Sequence, residues 1–574
     1  MNRKRITLLL VCVLVLSMPV ACGGGSASVL SGGEAVQAST AAADTGTGAG
    51  TGSAADAAAE TAETVAAAGA DSGAEAVVEN ADTHDSAEDD VWDGSEAIRI
   101  VLNGSSITAG GEGVTVDGSR ATITAAGTYE ISGSLADGQI LVNTEDEKKV
   151  RLVLNGVDID CSTSAPIAIM AADEVVVILA NGSDNHLSDG SAYVFESAEE
   201  DEPNAALFSK ADLTITGTGS LTVAGNYSDG IASKDGLVIA GGTVSVTAVD
   251  DGIRGKDYLV VRDGSVTVNA QGDGLKSDNE EDATMGYVLI EGGTVSVAAG
   301  GDAIQAQTDA MITGGEVGLS SGGGSNGRVD ESASAKGIKG IVSVTIDGGT
   351  ITVSSADDAI HSNGSVTING GTFVIASGDD GMHADTALEI NGGEISITGS
   401  YEGIESAAIT INDGNIRIVA SDDGINVAGG NDGSGMNMGP GFGGGHGGGP
   451  GQDSFAAAGN YRLTINGGYI YVDANGDGID SNGSIEMTAG VAIVNGPTER
   501  MNGALDYVSG FSMTGGFLVA AGSSGMAEAP SESSSQYSVL VNLSSTQRAG
   551  TLIHIQRSDG RRFLPLRQRR CGSR

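Results

Sequence analysis

The sequence predicts an all-β chain wound as a parallel β-helix, a solenoid of about 22-residue coils, and three observations carry that prediction. The first is an acidic step, acid-Gly-aliphatic in most copies. It opens at Asp229, Asp251 and Asp273, then at Lys336 in place of an acid, and at Asp358, Asp380, Glu402 and Asp423. Within each run the interval is 22 residues, or 21 for the last, and a fixed period of this size marks a stacked array. The second is the interior of each repeat. Val366 and Ile368 alternate with polar residues, Gly370-Gly371 interrupts, and Phe373 and Ile375 resume; the phrase returns at 288–297, 344–353, 388–397, 409–418 and 463–472. Such Val- and Thr-rich alternation around Gly-Gly or Asn-Gly reads as two short strands and a turn. The third is composition: 92 Gly, 8 Pro and one Trp in 574 residues leave small aliphatic side chains to fill regular layers. Coils of this kind stack at the strand spacing of roughly 4.8 Å.

The elements follow in chain order. Residues 1–21 read as a leader: Arg3-Lys4-Arg5, an apolar stretch from Ile6 to Leu16, then a small residue before Cys22. The apolar stretch is short of the roughly 20 residues of a membrane span. The pattern resembles a bacterial lipoprotein signal, with Cys22 as the lipidated first residue and Pro19 as a departure from it; plain secretion is the alternative. The expected location is therefore the extracellular face of the cell membrane, reached only through the lipid. Residues 22–95 are mostly Ala, Gly, Ser, Thr and acids with almost nothing to bury, without Lys or Arg before Arg99, and read as a disordered acidic tether. Residues 96–204 carry short β runs at 121–124, 150–154 and 174–179, read as irregular first coils and a cap.

Regular coils are expected over 205–525, with insertions at 279–286, 321–334 and the Gly-rich 429–459, which holds His446. A C-terminal β segment is expected over 526–560. Residues 561–574 contain six Arg and no acid; in so acidic a chain this reads as a frameshifted end, which resequencing the 3′ region of the gene would check, and the alternative is a genuine basic tail for anionic wall polymers. Cys161 and Cys571 are too few and too far apart to form a disulfide framework.

Stacking turns the step into a column of acids down one edge: Asp250, Asp251, Asp273, Asp302, Asp357, Asp358, Asp379, Asp380, Glu402, Asp422, Asp423 and Asp477. Calcium takes oxygen ligands at roughly 2.3–2.6 Å, so carboxylates on adjacent coils are placed to share Ca²⁺. Asp-Gly is also ordinary turn chemistry, and solvated corners would give the same residues; the doubled acids favour the metal, because a turn needs one Asp. Removal of Arg3, Lys4 and Arg5 takes the formal charge from −47 to −50. That charge argues against nucleic acid and anionic membrane surfaces as partners. It leaves an anionic polymer reachable only through a bridging cation.

The residue after each step is often long and polar: Arg254, Lys276, Gln305, Lys339, His361, His383, Glu405, Asn426 and Asp480. Together these form a candidate stripe for sugar hydroxyls and carboxylates, although a solvated face would also produce it. Tyr227, Tyr401, Tyr469 and Tyr471 are candidate platforms for pyranose rings.

Several segments carry a family resemblance. They are Asp422-Asp423-Gly424-Ile425-Asn426, Gly476-Asp477-Gly478-Ile479-Asp480-Ser481-Asn482-Gly483, Asn495-Gly496-Pro497-Thr498, Gly503-Ala504-Leu505-Asp506-Tyr507 and Gly522-Ser523-Ser524-Gly525-Met526-Ala527. Together, over Ile98 to Arg557, they resemble a bacterial carbohydrate-binding β-helix family, whose founding member is a pectate-lyase-like surface protein of a cellulolytic clostridium. The resemblance implies a right-handed helix, bound Ca²⁺, and binding of plant cell-wall polysaccharides including cellulose and polygalacturonate, without established lyase activity. The basic end departs from that family's usual β-rich continuation.

The favoured reading is a non-catalytic, surface-anchored carbohydrate-binding protein that uses Ca²⁺. Two alternatives stand beside it. One is a Ca²⁺-dependent β-eliminase with Lys276 as base, although acids around a Lys raise its pKa where a base needs it lowered. The other is a structural adhesin or wall spacer.

Overall fold

Alternating strands have one apolar face to bury, and in this chain that face is buried against the same face of the neighbouring coils. The computed structural model describes residues 13–18, 79–195, 197, 199–328, 333–428, 461–545, 547–548, 551–553 and 566–567. These contain strands, turns and bends and no helix. Each regular coil has three strands, for instance Asp229–Ser233, Gly236–Ile239 and Thr243–Ala248. Each strand pairs in parallel with its equivalent in the next coil, as in Ile231 with Ile253, Leu237 with Leu259 and Val244 with Val266. The acid-step strands lie in a 15-stranded sheet that also takes in strands of the N-terminal coils and is separate from the other two ladders. The other two ladders join at the N-terminal end through the long strand Val150–Cys161, which pairs with both Glu174–Leu179 and Asp184–Asp189. The chain is thus an all-β parallel β-helix. Its first coils are irregular, with antiparallel pairs between 98–104 and 107–109 and between 114–117 and 120–123.

The core is a set of stacked aliphatic columns. Ile253, Leu275, Ile304, Ile338, Ile360, Met382, Ile404, Ile425 and Ile479 follow one another in register, all buried. Each full burial of such a side chain contributes roughly 1.5–3 kcal/mol. The step glycine has a steric cause. A Cβ on Gly252 would lie 2.2 Å from Val268 Cγ1 and 2.6 Å from the Gly274 carbonyl oxygen. The glycine of the hairpin-like phrase has a conformational cause, with φ at 103° at Gly371.

One boundary differs from expectation. The acidic tether was placed at 22–95, but residues 79–95 pack along the outer face of the middle ladder as a strap. Arg262 Nε and Nη2 hold Asp85 at 2.6 and 2.8 Å, and His84 meets the Tyr258 hydroxyl at 2.7 Å and Thr214 Oγ1 at 2.9 Å. Lys149 Nζ meets Asp89 at 2.6 Å, and Trp92 packs on Val153, Val176 and Ile178. The cause lies in the strands beneath: Val176, Ile178, Val238 and Val260 point outward and need cover, whereas the equivalent positions in later coils are Thr345, Thr367 and Glu389.

Within the expected leader, the backbone of Val13–Met18 runs parallel between Phe517–Ser523 and Ser538–Asn542; a chain processed before Cys22 lacks this strand. Cys22, residues 23–78, His446 with the Gly-rich insertion, and most of the basic tail lie outside the described residues.

Candidate functional site

The predicted acids do stack, and seven of them use one oxygen to hold the next coil. Asp251 Oδ1 accepts the backbone N–H of Asp273, Asp273 Oδ1 that of Asp302, and Asp302 Oδ1 that of Lys336, at 2.8, 2.8 and 2.7 Å. The ladder resumes as Asp358 Oδ1 accepts from Asp380 and Asp380 Oδ1 from Glu402, at 3.0 and 3.1 Å. It ends with Asp423 accepting from Asp477, and Asp477 from Gly503. In the doubled acids the second is the ladder member, and Asp251, Asp358 and Asp380 are buried. The leading acids Asp250, Asp357, Asp379 and Asp422 are exposed or half-buried.

The other oxygen of the ladder acids meets a protein cation in the N-terminal part of the column. Lys276 Nζ lies 2.9 Å from Asp251 Oδ2 and 2.8 Å from Asp273 Oδ2, and Lys339 Nζ is 3.1 Å from Asp302 Oδ2. Lys336, which replaces an acid in the step, reaches the next coil at 2.9 Å from Asp357 and 2.8 Å from Asp358. His361 Nδ1 is 2.8 Å from Asp358 Oδ2, and His383 Nδ1 is 3.3 Å from Asp380 Oδ2. Arg254 pairs with Asp278 at 2.6 Å and approaches Asp229 at 3.9 Å. Although fully buried, Asp358 is held below the usual carboxylate range by Lys336, His361 and His383. Burial opposes the charge on Lys276, but Asp273 and Asp251 outweigh it and push the ammonium pKa up.

Beyond His383 the balance changes. Burial and the charges of Asp380, Glu405 and Asp423 push Glu402 far up, and its Oε2 accepts from Asn426 Nδ2 at 2.8 Å. Burial, then Asp477, Asp422 and Asp480, push Asp423 up to about 9. Among the described residues no Lys, Arg or His pairs with Asp422 or Asp423. Carboxylate oxygens of Asp423, Asp477 and Asp480 lie within 4.8 Å of one another. Two oxygens at opposite sides of a Ca²⁺ are about 5 Å apart, so this group fits the ion. Asp357, Asp358 and Asp379 are as close together, but there Lys336 already supplies the charge.

The expected sugar stripe is corrected in part. His383 and Glu405 are 2% and 4% exposed and present no surface to a polymer. Arg254, Lys276, Lys339 and His361 are half-buried with their charged ends turned to the acids. The main partner of Arg254, Asp278, was not among the predicted residues, because it stands 24 residues further on and outside the step. Tyr227 is stacked on Tyr193 at 4.2 Å and Tyr471 lies under Arg417 at 4.5 Å. Tyr401 and Tyr469 remain exposed, and the Tyr401 hydroxyl bonds Asp422.

Comparison with known proteins gives a coarse functional frame. Residues 117–381 match the family model described as carbohydrate-binding domain-containing protein. A carbohydrate-binding domain-containing protein of Acetivibrio thermocellus is 41% identical over 151 residues, which are 26% of this chain and 53% of the relative. The chain thus spans about half the length of that curated relative. Among solved structures, that of a polysaccharide lyase-like protein from C. thermocellum, a gadolinium derivative, is 29% identical. It covers 51% of this chain and 96% of its own, with a TM-score of 0.37.

Proposed function

We propose that the chain is a non-catalytic carbohydrate-binding protein of the bacterial cell surface, anchored through Cys22, that takes acidic plant cell-wall polysaccharide such as polygalacturonate through Ca²⁺. The observation that carries this reading is the division of the acid column. Its N-terminal part is neutralised by Lys276, Lys336 and Lys339, while Asp422 and Asp423, close to Asp477 and Asp480, lack a basic partner among the described residues. Asp423, Asp477 and Asp480 would hold Ca²⁺, with Asp422 beside them. The ion supplies positive charge to a surface that otherwise repels uronates. Tyr401, exposed and bonded to Asp422, would be the platform for a sugar ring bridged to that ion. The carbohydrate-binding description of the matched family supports the ligand class, and the scarcity of exposed aromatics favours uronates over crystalline cellulose.

The lyase alternative meets a specific obstacle. A general base must give up its proton near neutral pH, and Lys276 sits between two carboxylates that hold its proton on.

Calorimetry of the mature chain with polygalacturonate and with a neutral glucan, each with Ca²⁺ and with chelator, tests the reading while absorbance follows unsaturated products. Uronate binding that needs Ca²⁺, without new absorbance, is the expected result. Growing absorbance would make the protein a lyase, and absence of binding throughout would leave a wall spacer.

A further inference from the structure

The two histidines of the step stand in consecutive coils, and around the second lies a group the acid ladder does not explain. His361 and His383 are paired in register, with ring centroids 5.1 Å apart. Asp358 is already satisfied, because its Oδ2 takes Lys336 Nζ and His361 Nδ1, each at 2.8 Å. Asp380 differs. It is fully buried, its Oδ1 serves the ladder, and its Oδ2 accepts no hydrogen bond. That oxygen faces His383 Nδ1 at 3.3 Å, and Glu405 Oε2 faces the same nitrogen at 3.6 Å.

These separations are long for charge-assisted hydrogen bonds, which close to about 2.7–2.9 Å. The Asp380 separation matches a different geometry, and the Glu405 separation lies a few tenths of an ångström beyond it. Bonds of about 2.0–2.1 Å to nitrogen and oxygen at tetrahedral angles set neighbouring ligand atoms about 3.3–3.4 Å apart. The three ligand atoms all lie within 4.8 Å of one another. On the far side of the ring, His383 Nε2 is 3.2 Å from Asp385 Oδ1. A carboxylate behind a ligating imidazole fixes the tautomer and raises ligand basicity. No Lys or Arg pairs with Asp380 among the described residues.

We infer that Asp380 Oδ2, His383 Nδ1 and Glu405 Oε2 form a site for a borderline divalent cation of the Zn²⁺ class, with Asp385 orienting the imidazole. The nitrogen donor separates this site from the all-oxygen group at Asp423, Asp477 and Asp480: imidazole favours Zn²⁺ and its neighbours, carboxylates alone favour Ca²⁺. The site lies inside the stack, so its cation joins two coils and needs no polysaccharide.

The full mature chain, stripped with chelator and titrated with Co²⁺ alone, is expected to develop the visible ligand-field absorption of a low-coordinate nitrogen and oxygen site. Zn²⁺ should bleach it and Ca²⁺ in large excess should leave it. His383→Gln should abolish the band. Because that side chain is buried, Asp385→Ala is the second variant: it should weaken Co²⁺ binding about 10–100-fold with the thermal unfolding of the metal-free chain unchanged. An absent band in the unmodified chain, a band of equal affinity in both variants, or displacement by Ca²⁺ would each overturn the assignment.

Discussion

Asp251 Oδ1 accepts the backbone N–H of Asp273, the same residue one coil on, at 2.8 Å, while Asp251 Oδ2 holds Lys276 at 2.9 Å. One carboxylate therefore performs two separable tasks. It joins coils through a neutral-compatible hydrogen bond and it pairs a half-buried cation. The acid step is part of the stacking machinery before it is part of any binding site.

Separating those tasks gives the first prediction. Asp251→Ala leaves Lys276 short of a partner and the Asp273 N–H without an acceptor, and breaking a buried pair from one side costs about 3–5 kcal/mol. Asp251→Asn keeps an acceptor oxygen and should cost less, on the order of 1–2 kcal/mol. Denaturant unfolding of both variants checks the order; equal losses would mean that the ladder bond carries no weight.

The step glycine is the second. In Gly252→Ala the new methyl meets Val268 and the Gly274 carbonyl, and overpacking of this kind costs about 1–3 kcal/mol. Two steps already carry alanine, Ala303 and Ala359, both fully buried. Ala359→Gly should therefore be the milder change, within about 1 kcal/mol. Thermal unfolding of the pair decides it.

Much of this fold was legible in the sequence because its signals are local and repeated. Alternation marked the runs 344–353 and 365–375, which hold most of the strands Thr350–Ser355 and Thr372–Ser377, and the spacing implied their stacking. The strap was missed because composition was weighed over the whole acidic segment, which hides one Trp, one His and a few acids that find specific partners. Its signal lay elsewhere, in Val175–Leu179 and Tyr258–Val261, whose unbroken apolar runs call for cover on both faces. The polar residues after each step were legible as a stripe, but their direction was not. Whether Lys276 points to solvent or to Asp251 depends on the charge stacked beside it, and period-two reasoning does not weigh charge.

The strap yields the third prediction. Burial pushes Asp85 up, but hydrogen bonds from Arg262 and Thr83 and the Arg262 charge outweigh it, so its pKa lies below the usual 3.8. Asp89 is likewise lowered, through Lys149 and Ser86, against burial. A depressed folded pKa contributes stability that is complete above the unfolded value and is lost as pH falls through the folded one. The strap should therefore hold at neutral pH and loosen only below about 3.8. Trp92, the single Trp of the chain, reports it directly: its emission should shift to the red in that acidic window. In Arg262→Ala the shift should already be present at neutral pH. An emission spectrum blind to both changes would place Trp92 off the coils.

The fourth prediction concerns the cation-poor end of the column. Asp423, Asp477 and Asp480 repel one another in the metal-free chain, so Asp423→Asn should raise its thermal stability, an unusual sign for a polar substitution near a core. Ca²⁺ should stabilise the unmodified chain by mass action, about 2.7 kcal/mol at a hundredfold excess over the dissociation constant. The same Asn should remove that increment, because an amide oxygen replaces a charged ligand. The two effects oppose each other in one variant, which separates a metal site from solvated turn acids. Turn acids would give Asp423→Asn no Ca²⁺-dependent difference, whereas a site would make the variant the more stable chain with chelator and the less stable one with Ca²⁺.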